Sequence, residues 1–384
     1  MARQGAKSLI SLFTACLILF VTYETRTDVP AGAVAALQTS SGAEPPRTLV
    51  TLHVTDAPGM GVYGEISRQS NLYIGPFSGR SWPELPNVTL DAERVFFWQV
   101  MHKLSEQTGL APVPLDGKIY MDAAPLWAKA PWSCNGGVMF VADQASAGQN
   151  VSYTTQNQNQ DSIFLYLRAY MDPKFDLLQV GTLVVSEATD ENGKSLVSNR
   201  PGGFGIERGS LSGALHLGAR LLYSPETGKR IVRLRGSFPF ALCTRREAWE
   251  VNDMRVRKDA IHKTSLGTYI LTSFESRGTD PPQYLLKAQF VGKTSFSSPL
   301  HNYEAIARSM RLIDAEGREY ESAGVGEQRE GRYEYMINFS FPDNPRQKLG
   351  PPARLIWNIP MEFKETAVSI ELNDIPLPFF QNRK

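Results

Sequence analysis

A gapless internal repeat at an offset of 38 residues constrains this chain more than any other feature. Val50-Thr51-Leu52 recurs as Val88-Thr89-Leu90. In the same register Val62 matches Val100, Ser67 matches Ser105, Gln69 matches Gln107 and Leu72 matches Leu110. Each copy opens on an alternating strand. Val50, Leu52 and Val54 point one way and Thr51 and His53 the other, as a period of two requires.

Each copy then turns helical. In the second, Phe97, Val100, Met101 and Leu104 stand at i, i+3, i+4 and i+7, one apolar stripe. Gly109 follows the last turn, where a left-handed cap favours glycine. In the first, Val62, Tyr63 and Ile66 form the stripe, Pro58 suits the helix start and Asn71 the cap. Gly59, Gly61 and Gly64 each cost up to about 1 kcal/mol relative to Ala, which predicts a first helix that leans on packing and starts late. Asp116-Gly117, between two short apolar runs, signals a hairpin.

This β-α-β, β-α-β-β order over residues 47–122 resembles the short N-terminal domain of secretins and TonB-dependent receptors. The segments TLVTLHVTDAP and NVTLDAERVFFWQVMHKLSEQTGL carry the likeness. The resemblance implies a periplasmic module that works by protein–protein contact. No TonB box, barrel or pore sequence follows it, so transport is not implied.

Beyond residue 122 helical periods give way to alternation. Ile163, Leu165 and Leu167 alternate with Phe164, Tyr166 and Arg168, and Val368, Ile370 and Leu372 with Ser369 and Glu371. Short strands between turn clusters predict antiparallel β-sandwiches. A weaker repeat supports two of them. Asp190-Glu191-Asn192-Gly193-Lys194 parallels Asp314-Ala315-Glu316-Gly317-Arg318, and Arg233-Leu234 with Pro239 parallels Arg354-Leu355 with Pro360. The expected fold is α+β: a small duplicated βαβ module, then sandwiches over 123–250 and 251–384, joined near 251–259. The whole arrangement resembles a group of uncharacterised exported bacterial proteins, notably from planctomycetes, that pair such a module with a β-rich region. That resemblance implies architecture and export, and no chemistry.

The start of the chain points the same way. Arg3 and Lys7 precede an uncharged apolar run from Leu9 to Tyr23. This reads as a signal peptide over 1–24, with an uncleaved signal-anchor as the alternative, since about 20 residues are needed to span a membrane. Residues 25–46, rich in Ala, Ser, Thr, Gly and Pro, read as a linker. Lys plus Arg is 40 and Asp plus Glu 39, a net charge of +1, which argues against nucleic acid as a partner. Export places Cys134 and Cys243 in an oxidising compartment, where they can pair as a disulfide or remain buried thiols.

No motif names a reaction. Gly209-Ser210-Leu211-Ser212-Gly213 puts leucine where a hydrolase elbow needs serine. The five histidines lack metal-ligand spacing, His102 reading as solvated and His216 as a core residue. No cofactor or metal is expected. Paired carboxylates on separated strands stay open. Trp127 and Trp132, in APLWAKAPWSCNGG, read either as packing between domains or as a ligand surface. Arg233 and Arg235 read as a charged strand edge or a face for an acidic glycan. The expectation is a non-catalytic envelope protein with a protein partner, touching the membrane only through a retained leader. The alternatives are a carbohydrate-binding or carbohydrate-processing sandwich and a secretin-associated component.

Overall fold

The computed structural model describes residues 46–77, 80–115, 117–124, 126–149, 161–197, 203–207, 214–252, 260–278, 283–292, 309–329, 332–341 and 349–378. The leader, the serine loop at 209–213, the polar stretch from Thr154 and residues 253–259 of the expected join lie outside them. The described chain is mostly β, in several largely antiparallel sheets, with two α-helices.

The N-terminal module runs β1 (Leu49–Pro58), α1 (Gly59–Ser70), β2 (Ile74–Gly75), β3 (Asn87–Phe96), α2 (Phe97–Thr108), β4 (Leu110–Leu115) and β5 (Lys118–Ala123). The first strand and helix recur 38 residues on with the same lengths. Asn71 and Gly109 close the two helices in the left-handed region, at φ 56 and 71°. Gly59 begins α1 at once, so the late start is not seen. A Cβ there would lie 2.9 Å from the carbonyl oxygen of Pro86, so close approach requires this glycine.

The expected duplicated βαβ unit does not close as such. Among the described residues β1 pairs only with β3, antiparallel, while two-residue β2 pairs with β5 in a second sheet that also holds β4. Each helix therefore links two sheets instead of crossing over within one. Val50, Leu52, Val88 and Leu90 from the ribbon meet Ile66, Val100, Met101 and Leu104 from the helices and Ile119 and Met121 from β5. Full burial of such side chains is worth about 1.5–3 kcal/mol each.

Next come β6 (Trp132–Asn135), β7 (Val138–Gln149), β8 (Asp161–Tyr170), β9 (Leu177–Val180), β10 (Val184–Asp190), β11 (Gly203–Glu207), β12 (Ala214–Leu222) and the long β13 (Arg230–Asn252). They are followed by β14 (Ala260–Lys263), β15 (Gly267–Arg277), β16 (Gln283–Gly292), β17 (Met310–Asp314), β18 (Glu321–Arg329), β19 (Arg332–Ser340) and β20 (Pro352–Pro376). Two five-stranded sheets have matching orders, β11-β12-β8-β7-β6 and β18-β19-β16-β15-β14. Each packs on one half of a shared sheet, β10-β13-β20-β17.

The shared sheet is built on one antiparallel ribbon. β13 and β20 pair from Arg230 opposite Pro376 to Asn252 opposite Arg354. Leu234, Phe238, Phe240 and Leu242 of β13 join Val368, Ile370 and Leu372 of β20 in the first core. Trp249 and Val251 join Leu355, Trp357 and Ile359 in the second. Register shifts at Cys243 to Arg246 re-phase the alternation, so even-numbered residues from Leu234 to Leu242 face the first core and odd-numbered Trp249 and Val251 the second. β13 thus crosses the expected 250/251 boundary, and the end of β20 packs in the first core although it follows the second in sequence.

Two turns repeat across the cores. Asp190 Oδ1 accepts the N–H groups of Asn192 and Lys194, and its Oδ2 that of Gly228. Asp314 does the same with Glu316, Arg318 and Gly350. Both carboxylates are buried, and each ties a hairpin turn to the loop that leads into a long strand.

Candidate functional site: an aromatic seam and a charged face

Helix α2 is buried on two faces. Phe97, Val100, Met101 and Leu104 fill the module core, as their spacing predicts. Trp98, His102 and Ser105, at i, i+4 and i+7, form a second buried stripe. That stripe meets the first β core, and the contact is specific. Trp98 donates its indole N–H to the carbonyl of Met171 at 2.7 Å. Trp127 donates to the Tyr170 hydroxyl at 2.9 Å. Thr48 donates both its backbone N–H and its hydroxyl to the Asp172 carboxylate, each at 2.8 Å.

His102 corrects an expectation. It is not solvated but fully buried, its ring centroid 4.1 Å from that of Trp132 and 5.1 Å from that of Trp127. Neither ring nitrogen has a hydrogen-bond partner, and the nearest acid, Glu106, lies 3.7 Å from Nδ1. Burial pulls its pKa down to about 4. Trp127 and Trp132 are thereby brought together, but with His102 and Tyr170 rather than on an open platform. They pack module to β core. His216 is half-buried on β12.

Arg233 and Arg235 also come together, on a central strand. β13 lies between β10 and β20, so the reading as a strand edge is corrected. Glu187 of β10 lies 3.6 Å from Arg233 and 3.7 Å from Arg235, and Arg235 reaches Glu371 of β20 at 3.1 Å. Arg230 adds pairs to Glu191 and Asp374. The result is an exposed ladder of alternating charge across three strands, in which each arginine has an acidic neighbour. Alternation alone predicted charges on one face but not which strands flank them.

Cys134 and Cys243 are free thiols, the second of the two arrangements left open by the sequence. Cys134 packs against the module core. Cys243 sits at the register shift, donating to the carbonyl of Arg245. Burial raises the first to about 12 and the second to about 11, which keeps both protonated and unreactive.

The outer face of the β1–β3 ribbon carries His53, which bridges Asp91 at 2.6 Å and Glu93 at 3.1 Å. Both ring nitrogens face carboxylates, which favours the imidazolium and raises the pKa. Among the described residues no cluster of three or more His, Cys, Asp or Glu is arranged to hold a metal ion. Among them, too, no helix is long and apolar enough to cross a membrane. Sequence reasoning missed Thr48, Trp98, Tyr170 and Asp172. The Trp98–His102–Ser105 spacing was the available signal, beside the stronger stripe.

No protein-family model, curated protein or solved structure matches the chain.

Proposed function

We propose that this is an exported, non-catalytic protein of the cell envelope. Its N-terminal module meets a protein partner, and two sandwich repeats hold that module at a fixed place. The observation that carries this reading is the β13–β20 ribbon. One pair of strands runs through both β cores without a linker between them. A hinge-and-lid enzyme would gain from separable bodies, whereas a spacer gains from a continuous ladder. The seam extends the same logic to the module, since Trp98 and Thr48 each bond across it.

The module would use the polar outer face of its ribbon. The element order is β-α-β-β-α-β-β, with its strands divided between two sheets, and the sequence likeness to secretin and TonB-receptor modules suggests contact with an envelope protein. The sandwich reading of the two cores is supported by two sheets facing each core, and their repetition by matching strand orders and Asp190/Asp314 turns. Nucleic acid remains a poor fit to a net charge of +1. The carbohydrate reading is less favoured, because Trp127 and Trp132 are engaged with His102 and Tyr170 and Arg233 and Arg235 with acidic neighbours.

Site-specific photo-crosslinking in living cells tests the proposal. A reactive residue at Glu93, on the module face, should give a discrete adduct with another envelope protein, while one at Ile261 on the second core should not. Adducts only with the chain itself, or a hydrolytic turnover abolished by one point substitution, would overturn it.

A further inference from the structure

The β1–β3 ribbon has two strands, so each strand leaves one edge without a strand partner among the described residues. Such edges invite pairing with another chain. Here each edge is stoppered at one point by a glutamine. Gln69 Oε1 accepts the Thr51 N–H at 3.0 Å, and its Nε2 donates to the Thr51 carbonyl at 2.8 Å. Gln107 treats Thr89 identically, at 3.0 and 3.1 Å. A side-chain amide thus makes the two bonds that one residue of an added strand would make.

The two edges differ in what lies beside the stopper. β3 carries Asp91, Glu93 and Arg94, charges that oppose strand addition. From Leu49 to Thr55, β1 reads LVTLHVT. This run has high β-propensity and no proline, acid, lysine or arginine; His53, paired to Asp91 and Glu93 of β3, is its titratable residue, and Asp56 and Pro58 follow it at the strand end. That is the composition of a self-pairing segment. An antiparallel pairing of β1 with β1 of a second copy is isologous, so it closes as a dimer.

We propose that β1 is a homotypic pairing edge for a second copy of this chain, and that the Gln69 amide keeps it shut. Gln107 guards an edge that its own charges already protect. The inference stands on the ribbon's geometry and composition and does not depend on the functional reading above.

Sedimentation velocity of Gln69→Ala, Gln107→Ala and the unsubstituted protein over the same concentration series tests it, with circular dichroism to check folding. Gln69→Ala should shift toward a species of twice the starting mass, and Gln107→Ala should not. Adding Thr55→Lys to Gln69→Ala should reverse the shift, because a lysine on an exposed edge opposes strand addition. Gln69→Glu, which keeps the acceptor but cannot donate to the Thr51 carbonyl, provides a second, milder opening. Hydrogen exchange at Thr51 reports whether the stopper has been removed. Faster Thr51 exchange without association overturns the proposal. So does association that is equal in Gln107→Ala, or that persists with Thr55→Lys.

Discussion

His102 stacks on Trp132 with ring centroids 4.1 Å apart and planes 25° from parallel, and neither of its ring nitrogens is hydrogen-bonded. A protonated imidazole there would place a charge in the seam between module and β core. Burial holds the folded pKa near 4, against 6.5 when the chain is unfolded. The unfolded state therefore binds more protons between those values, and stability falls as pH drops from 6.5 toward 4. The loss is on the order of 3 kcal/mol at most. His102→Phe keeps a ring and removes the titration. Urea melts at pH 7 and pH 4.5 should show a smaller acid loss for the variant than for the unsubstituted protein. Equal losses would remove His102 from the account.

His53 predicts the opposite sign. Its pKa is raised by hydrogen bonds to Asp91 and Glu93 and lies above the ordinary value. Its contribution is complete below pH 6.5 and fades as pH rises through the folded value. Nuclear magnetic resonance titration of the ring should give a midpoint above 6.5, returning toward 6.5 in Asp91→Asn. An unchanged midpoint in that variant would show that Asp91 is not the cause.

The two aspartate turns should behave alike. Burial raises the Asp314 pKa, but N–H groups of Gly350 and Arg318 and the Arg318 guanidinium outweigh it and hold the carboxyl near 2. Stability from this group is present above pH 3.8 and is lost as pH falls through about 2. Asp314→Ala leaves three backbone donors without their acceptor, which costs about 2–3 kcal/mol. Asp190→Ala should cost a similar amount, since its three N–H partners match. Chemical denaturation measures both. A neutral result for either would mean that water replaces the carboxylate.

Arg235 and Arg246 separate surface pairing from junction packing. Arg235→Ala should leave the melting temperature nearly unchanged, because exposed ion pairs contribute little. Arg246 grips Asp176 at 2.6 and 2.7 Å and donates to the Asn358 carbonyl at 2.8 Å, beside the register shift. Arg246→Ala should cost about 2 kcal/mol. Thermal melts of both variants check the contrast.

Particular residues show how far the sequence was legible. The spacing of Val50 and Val88 anticipated two equal strand–helix pairs, and Phe97 to Leu104 named the core face of α2. Asp190 and Asp314 marked the same turn twice. Pairing across the molecule was not legible. Val368, Ile370 and Leu372 alternate like any half-buried strand, and alternation does not say which core the strand completes. Arg233 and Arg235 are compatible with an edge or a centre for the same reason. His102 was misread because a helix with two buried stripes was counted as having one. The cysteines carry no geometry in sequence at all.

Under the proposed function, module and both β cores form one rigid scaffold, tied by the seam and by the β13–β20 ribbon. A spin-label distance measurement between Met60→Cys, exposed on α1, and Ile261→Cys, exposed on β14, tests this most directly. Cys16, Cys134 and Cys243 would be replaced by alanine. The account predicts one narrow distance distribution that does not change with temperature below unfolding. A broad or multiple distribution would contradict it.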